Sequence, residues 1–137
     1  MGIFIASDHA GFKLKEYLKK YFDLSDLGTY DEESCDYPVF AKKLVDQMKE
    51  GDKGILICGT GIGMSIVVNR YKNIRAALCF NEEMTVLARQ HNNANVLVLG
   101  ARIISTEIAK TCVEKFLSTD FEGGRHQHRV ELIDRTD

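Results

Sequence analysis

The residues best able to do chemistry are Cys58-Gly59-Thr60-Gly61-Ile62-Gly63, which follow the apolar run Ile55-Leu56-Ile57 and lead into a helical pattern. A strand that opens into glycines and then a helix presents a row of backbone N–H groups to an anion. Three familiar loops are excluded by spacing. A dinucleotide fingerprint needs G-x-G-x-x-G, and Met64 stands where its last glycine belongs. A P-loop needs Gly-Lys-Ser/Thr, which is absent, and a Cys-based phosphatase loop, C-x5-R, would need arginine at Met64. What remains is an anion nest with Cys58 at its base. A nearby helix N-terminus favours the thiolate, which makes this thiol a candidate base or nucleophile near neutral pH. The plainer alternative is that Cys58 is a small buried hydrophobe and the glycines only let helix and strand pack closely.

Other reactive side chains follow or precede predicted strands. Ser7, Asp8, His9 and Gly11 come after the first, Gly100, Ala101 and Arg102 after the last, and His91 with Asn92 just before the last. Ligands of open α/β sheets bind beyond the carboxyl ends of the strands. The expectation is therefore that a carboxylate, two imidazoles, a thiol and an arginine meet at that edge. Against this stands a plainer reading, with His91 as a helix-ending histidine and Arg125 and Arg129 as a solvated face. His126 and His128 are two residues apart with no further ligands at metal spacing, so no metal site is predicted.

These groups need a scaffold, and the patterning supplies one. Short apolar runs at Ile3–Ala6, Asp23–Leu27, Gly54–Ile57, Arg75–Cys79 and Asn95–Leu99 alternate with helical patterns. The helices carry Leu14, Tyr17, Leu18, Tyr21 and Phe22; then Phe40, Ala41, Leu44, Val45 and Met48; then Glu82 to Gln90; and last Ile108, Cys112, Val113, Phe116 and Leu117, with Ser105 as N-cap. Apolar strands alternating with helices predict a single α/β domain over residues 1–137. Its form is a Rossmann-like three-layer α/β/α sandwich around a five-stranded parallel sheet. The final stretch, Glu122 to Asp137, is too polar for core.

The bulk properties narrow the function. The 137 residues are 45% hydrophobic and carry a net charge of −2, which offers no broad attraction to nucleic acid or to an anionic membrane. No apolar run reaches the roughly 20 residues of a membrane span, and no signal peptide is apparent. Four scattered cysteines without a C-x-x-C pair fit reduced thiols and a cytoplasmic setting.

Taken together, five ordered segments resemble the ribose/galactose isomerase family, and within it ribose-5-phosphate isomerase of type B. They are Ser7-Asp8-His9-Ala10-Gly11-Phe12, Asp36-Tyr37-Pro38, Cys58 to Ser65, Arg89-Gln90-His91-Asn92 and Gly123-Gly124-Arg125-His126, and they span nearly the whole chain. The resemblance implies an aldose–ketose isomerase that interconverts ribose 5-phosphate and ribulose 5-phosphate through an enediolate, without metal or cofactor. It implies Cys58 as the proton-transfer base, Thr60 and the amides of Gly61 to Gly63 as the oxyanion donors, and His91 with Asp8 as the ring-opening pair. Tyr37 and Asn92 would contact the sugar, as would Gly59, Gly61, Ile62, Gly63 and Ser65, while His9, Arg102, Arg125 and Arg129 would grip the phosphate. It also implies a homodimer or homotetramer with shared active sites, reached by a C-terminal helical segment. One branch of the family replaces the cysteine with a carboxylate four positions later; that position is Ile62 here, which matches the thiol branch. The full residue set in one chain favours ribose 5-phosphate over the six-carbon substrates, allose 6-phosphate and galactose 6-phosphate. One departure is Asn93, where aspartate is common.

Overall fold

A computed structural model describes residues 1–135. Five parallel strands, β1 (Ile3–Ser7), β2 (Ser25–Asp26), β3 (Lys53–Cys58), β4 (Ala76–Leu78) and β5 (Val96–Gly100), lie in the order β2-β1-β3-β5-β4. Six helices accompany them: α1 (Phe12–Lys19), α2 (Tyr37–Gln47), α3 (Ile62–Val68), α4 (Glu82–Asn92), α5 (Thr106–Ser118) and α6 (Arg125–Glu131). The three-layer α/β prediction holds. The strands bury both faces, and their period of two sorts the core into two layers. Ile5, Ile55, Ile57, Leu97 and Leu99 pack with α1, α4 and α5, while Ala6, Leu56, Val96 and Val98 pack with α2 and α3. Each fully buried aliphatic side chain stabilises the fold by roughly 1.5–3 kcal/mol.

Register sets the site. Ser7 lies opposite Ile57, and Cys58 opposite Gly100, so β1, β3 and β5 end level with one another. The chain turns from β1 to β2 on one side and crosses to β3 on the other, which makes the β1/β3 gap the switch point where a parallel sheet opens a crevice.

Several expectations change in detail. The strand expected over 23–27 shortens to Ser25–Asp26, because this edge element carries polar residues. Tyr21 and Ile108, counted on apolar faces, are exposed; Tyr21 lies past the end of α1, its ring 5.1 Å from that of Tyr17. The polar C-terminal stretch forms α6 and buries one side chain, His126, against α4. Ser105 caps α5 as predicted, its hydroxyl accepting from the Ile108 N–H at 3.2 Å.

The fold also contains an ion network that the patterning did not reveal. Lys15 is fully buried and donates to Asp26 at 2.6 Å, and Lys19 donates to the same carboxylate at 2.8 Å. Burial alone would raise the Asp26 carboxyl, but hydrogen bonds from Lys15, Lys19 and the Gly28 N–H outweigh it and hold the group below its ordinary value. A carboxylate with a lowered folded pKa stabilises the protein above its unfolded pKa, and that stability disappears as pH falls through the folded value. Asp26→Asn, which leaves the buried Lys15 with Glu16, at 2.8 Å, as its remaining carboxylate, should cost about 2 kcal/mol at neutral pH. In denaturant titrations the gap to wild type should close in acid, below the ordinary aspartate range; a gap independent of pH would refute the ion-pair account.

Candidate active site

Cys58 ends β3, and its side chain is turned into the molecule, only 5% exposed. The loop after it wraps the sulfur: the Gly61 N–H donates to Cys58 Sγ at 3.2 Å. This is a preformed donor for a thiolate, and the turn depends on Gly61, which adopts φ +81° at the start of α3. A Cβ there would lie 3.2 Å from the Leu99 carbonyl and closer still to Leu78. Thr60 is exposed at the tip, where its Oγ1 accepts from the Ile62 N–H at 3.2 Å. Ser65 turns its hydroxyl back to the Ile62 carbonyl at 2.8 Å, and Ile62 is itself exposed.

The neighbouring strand ends close round this loop. Asp8 is buried; its N–H donates to the Ile57 carbonyl at 3.2 Å, and its Oδ1 accepts from the Gly11 N–H at 3.1 Å. Gly11 lies so near Ile57 that a Cβ would stand 2.6 Å from that carbonyl oxygen, so the β1 loop can reach β3 only with glycine there. Beside Asp8, His9 Nδ1 accepts from the Cys35 N–H at 3.2 Å, which puts the ring proton of the neutral imidazole on Nε2. From β5, the Ala101 and Arg102 N–H groups donate to the Cys58 and Gly59 carbonyls at 2.9 Å each, and the Arg102 guanidinium lies across the bare backbone of Gly59. Tyr37, at the start of α2, packs on Gly63 in the same way. Asp8, His9, Tyr37, Cys58, the glycine loop and Arg102 are thus brought to one edge. Ser7, placed at this strand end by the sequence but given no role there, joins them: its buried hydroxyl oxygen has no hydrogen-bond partner among the described residues.

His91 and Asn92 are not at that edge, contrary to the expected convergence with Asp8. The helix that leaves the carboxyl end of β4 must return to start β5, so α4 ends at the amino edge of the sheet. The two edges are separated by the length of β3, about 17 Å for its six residues at roughly 3.3 Å per residue. There the His91 ring stacks on His126 of α6, with centroids 4.3 Å apart and planes at 13°. Glu122 Oε1 lies 3.9 Å from His91 Nε2 and 3.7 Å from His126 Nε2. Burial and the neighbouring His91 push the His126 imidazole below its usual value. Ligating atoms of His91, Glu122 and His126 lie within 4.8 Å of one another. Stacked rings nonetheless direct their lone pairs alongside each other rather than at one point, an awkward geometry for a shared metal ion. Arg125 and Arg129 are exposed on the same α6.

Three further residues hold this second cluster together. Arg89, nearly buried, donates to the Thr119 carbonyl at 3.0 Å, the Asn93 Oδ1 at 2.9 Å and the Ala94 carbonyl at 2.7 Å. The Glu122 N–H donates to the Gln90 carbonyl at 3.0 Å. Asn93 closes α4 at φ +49°, a left-handed cap that asparagine tolerates well. Of the other thiols, Cys35 Sγ lies 3.8 Å from His9 Nδ1, whereas Cys79 and Cys112 belong to the core; all four cysteines are free, and burial pushes Cys112 up and Cys79 up to about 11.

Comparison with known proteins fits this arrangement. Residues 3–133 match the family model described as Ribose/Galactose Isomerase. Ribose-5-phosphate isomerase B of Escherichia coli is 43% identical over 133 residues, which cover 92% of this chain and 89% of that protein. The crystal structure of a ribose 5-phosphate isomerase from Thermotoga maritima superposes with a TM-score of 0.94 at 55% identity, covering 98% of each chain. Ribose-5-phosphate isomerase B from Mycoplasma genitalium with bound ribulose-5-phosphate superposes with a TM-score of 0.90 at 45% identity, covering 96% of this chain and 93% of the other. Among the described residues no helix is long and apolar enough to cross a membrane. By sequence and by fold, the chain belongs to the ribose/galactose isomerase family.

Proposed function

We propose that the protein interconverts ribose 5-phosphate and ribulose 5-phosphate, at a site made from the Cys58 edge of one chain and the His91 edge of a second. The observation that carries this is the buried Cys58 thiol, cradled by the Gly61 N–H beside the Asp8 carboxylate. Aldose–ketose isomerisation needs a base for a C–H proton, a donor array for an enediolate and an acid for ring opening. His91 of the second chain, facing Asp8, opens the furanose. The Cys58 thiolate removes the C2 proton, the amides of the loop hold the oxyanion of the enediolate, and the thiol returns the proton to C1 as the O2 hydroxyl proton passes to O1. His9 and Arg102 hold the phosphate from one side, Arg125 and Arg129 from the other.

A second chain is supported by more than the separation of the halves. Exposed apolar side chains flank both: Tyr37, Val39, Ile62 and Ile66 beside the Cys58 loop, and Leu132 and Ile133 beyond α6. The bound ribulose-5-phosphate of the Mycoplasma relative supports the five-carbon substrate.

A kinetic panel tests the reading. Turnover of ribose 5-phosphate should exceed that of allose 6-phosphate and galactose 6-phosphate by at least about tenfold in kcat/KM, the scale on which one extra carbon is discriminated. In deuterated solvent, label should enter C2 of the aldose. Faster hexose turnover would reassign the substrate, and binding without exchange would make the protein a sensor of sugar phosphates.

A further inference from the structure

At the amino edge of the sheet, between the end of α2 and the end of α4, lies a cavity of about 720 Å³. Five cations line it, Lys49, Lys53, Lys72, Arg75 and Arg89, against two carboxylates, Glu50 and Asp52. That balance contrasts with the net charge of −2 for the whole chain. None of the residues assigned above to the substrate lines this cavity, and it opens at the opposite edge of the sheet from Cys58.

The three inner cations are held by neutral acceptors alone. Lys53 Nζ donates to the Phe116 carbonyl at 3.4 Å and lies 5.6 Å from the Phe116 ring centre. Arg75 donates to the Asn93 carbonyl at 2.8 Å and the Asn73 carbonyl at 3.4 Å. Arg89 makes the three bonds described above, to two carbonyls and an amide oxygen. Among the described residues none of the three forms an ion pair. Asp52 is already engaged by the Gly2 and Lys49 N–H groups at 2.6 and 2.8 Å. A guanidinium has five N–H donors and an ammonium three, so each cation keeps donors for a further acceptor. Burial pulls all three below their ordinary values; Arg89 adds to this at Lys53 and Arg75 at Arg89, while Asp120 opposes it at Lys53 and Arg89 and Asp134 at Arg75 without reversing it. Partly desolvated, crowded cations are costly unless an anion neutralises them.

We propose that this cavity binds a small, multiply charged phosphate-bearing anion, an inorganic or nucleoside polyphosphate. Its volume lies in the range of small-molecule sites, and its concave shape suits a compact ligand. Five cations against two carboxylates exceed what a single phosphate monoester requires, whereas a chain of phosphates would engage the inner and rim cations together.

Tripolyphosphate is the probe, titrated calorimetrically into the full chain at fixed ionic strength. One site per chain is expected. It should persist in Arg102→Ala, which disables the substrate's phosphate grip, and weaken by about tenfold or more in Lys53→Met and in Lys72→Glu. Lys72 is exposed at the rim, so its variant tests the site even where Lys53→Met perturbs the strand. Absence of binding to wild type would overturn the proposal. So would loss of binding in Arg102→Ala with retention in Lys53→Met, which would place the anion in the substrate site. A Lys72→Glu variant that dissociates the assembly yet binds tripolyphosphate as wild type does would overturn it too, because the rim would then face a second copy. The inference does not depend on the isomerase reading, and the sugar-phosphate panel fails or succeeds separately.

Discussion

Cys58→Ala should lower kcat for ribose 5-phosphate isomerisation by two to four orders of magnitude, the contribution of a positioned proton-transfer group. The reason lies in the local geometry. The sulfur is the one side-chain atom that the Gly61 N–H addresses, and it sits at the base of the glycine loop with Asp8 on the adjoining strand end. Removing a single small buried atom should cost only about 1–2 kcal/mol of stability, from the lost contacts and the N–H left without its acceptor. Loss of turnover should therefore come with a folded protein, checked by circular dichroism and thermal unfolding. Cys58→Ser is the sharper variant. The hydroxyl can still accept from Gly61, so the loop keeps its shape, but a serine hydroxyl ionises far above neutral pH and makes a poor base. Substrate binding should be retained and the exchange of solvent deuterium into C2 lost. Turnover near wild type in either variant would remove Cys58 from the role of base.

His91→Ala should be similarly damaging on the cyclic sugar, and its more telling use is in a mixture. If Cys58 and His91 act together across two chains, neither variant alone has a complete site. When Cys58→Ala and His91→Ala chains are dissociated, mixed in equal amounts and allowed to reassociate, half of the resulting pairs are mixed. In each mixed pair one site has both variants and the other has neither. Activity should then recover to about one quarter of wild type, as follows from a two-fold pairing in which each surface meets its counterpart. Failure to recover, with reassociation verified by native mass spectrometry, would mean that both groups act within one chain. That would require a rearrangement able to cross the length of the sheet.

The parts of this molecule that were legible in its sequence are those governed by local pattern. The five apolar runs became five strands, and Cys58-Gly59-Thr60-Gly61 became a turn around a sulfur because Gly61 alone tolerates its backbone angle so close to Leu78 and Leu99. Within one chain, His91 lies at the opposite edge of the sheet from Asp8, where the order of strand ends suggests one shared edge. The needed signal was present in connectivity rather than composition: a helix between two parallel strands must run from one edge of the sheet to the other, so its last residues face away from the carboxyl ends. The stacking of His126 on His91 and the burial of Lys15 and Arg89 had no local signal at all. They depend on contacts between segments 11 to 35 residues apart, such as Lys15 with Asp26 and His91 with His126. Polar residues at such positions look like solvated surface until the partner is placed.

The all-parallel sheet has a consequence for how copies of the chain can associate. Because every strand points the same way, the molecule is polar, with the Cys58 loop at one end and His91 at the other. On the shared-site reading these ends are plug and socket on one body. Stacked head to tail, such bodies would form an open filament with an unmatched end at each terminus. Turned about a two-fold axis, two chains match both ends at once and the assembly closes. On that reading, a closed two-fold pair is the smallest particle in which every plug is filled.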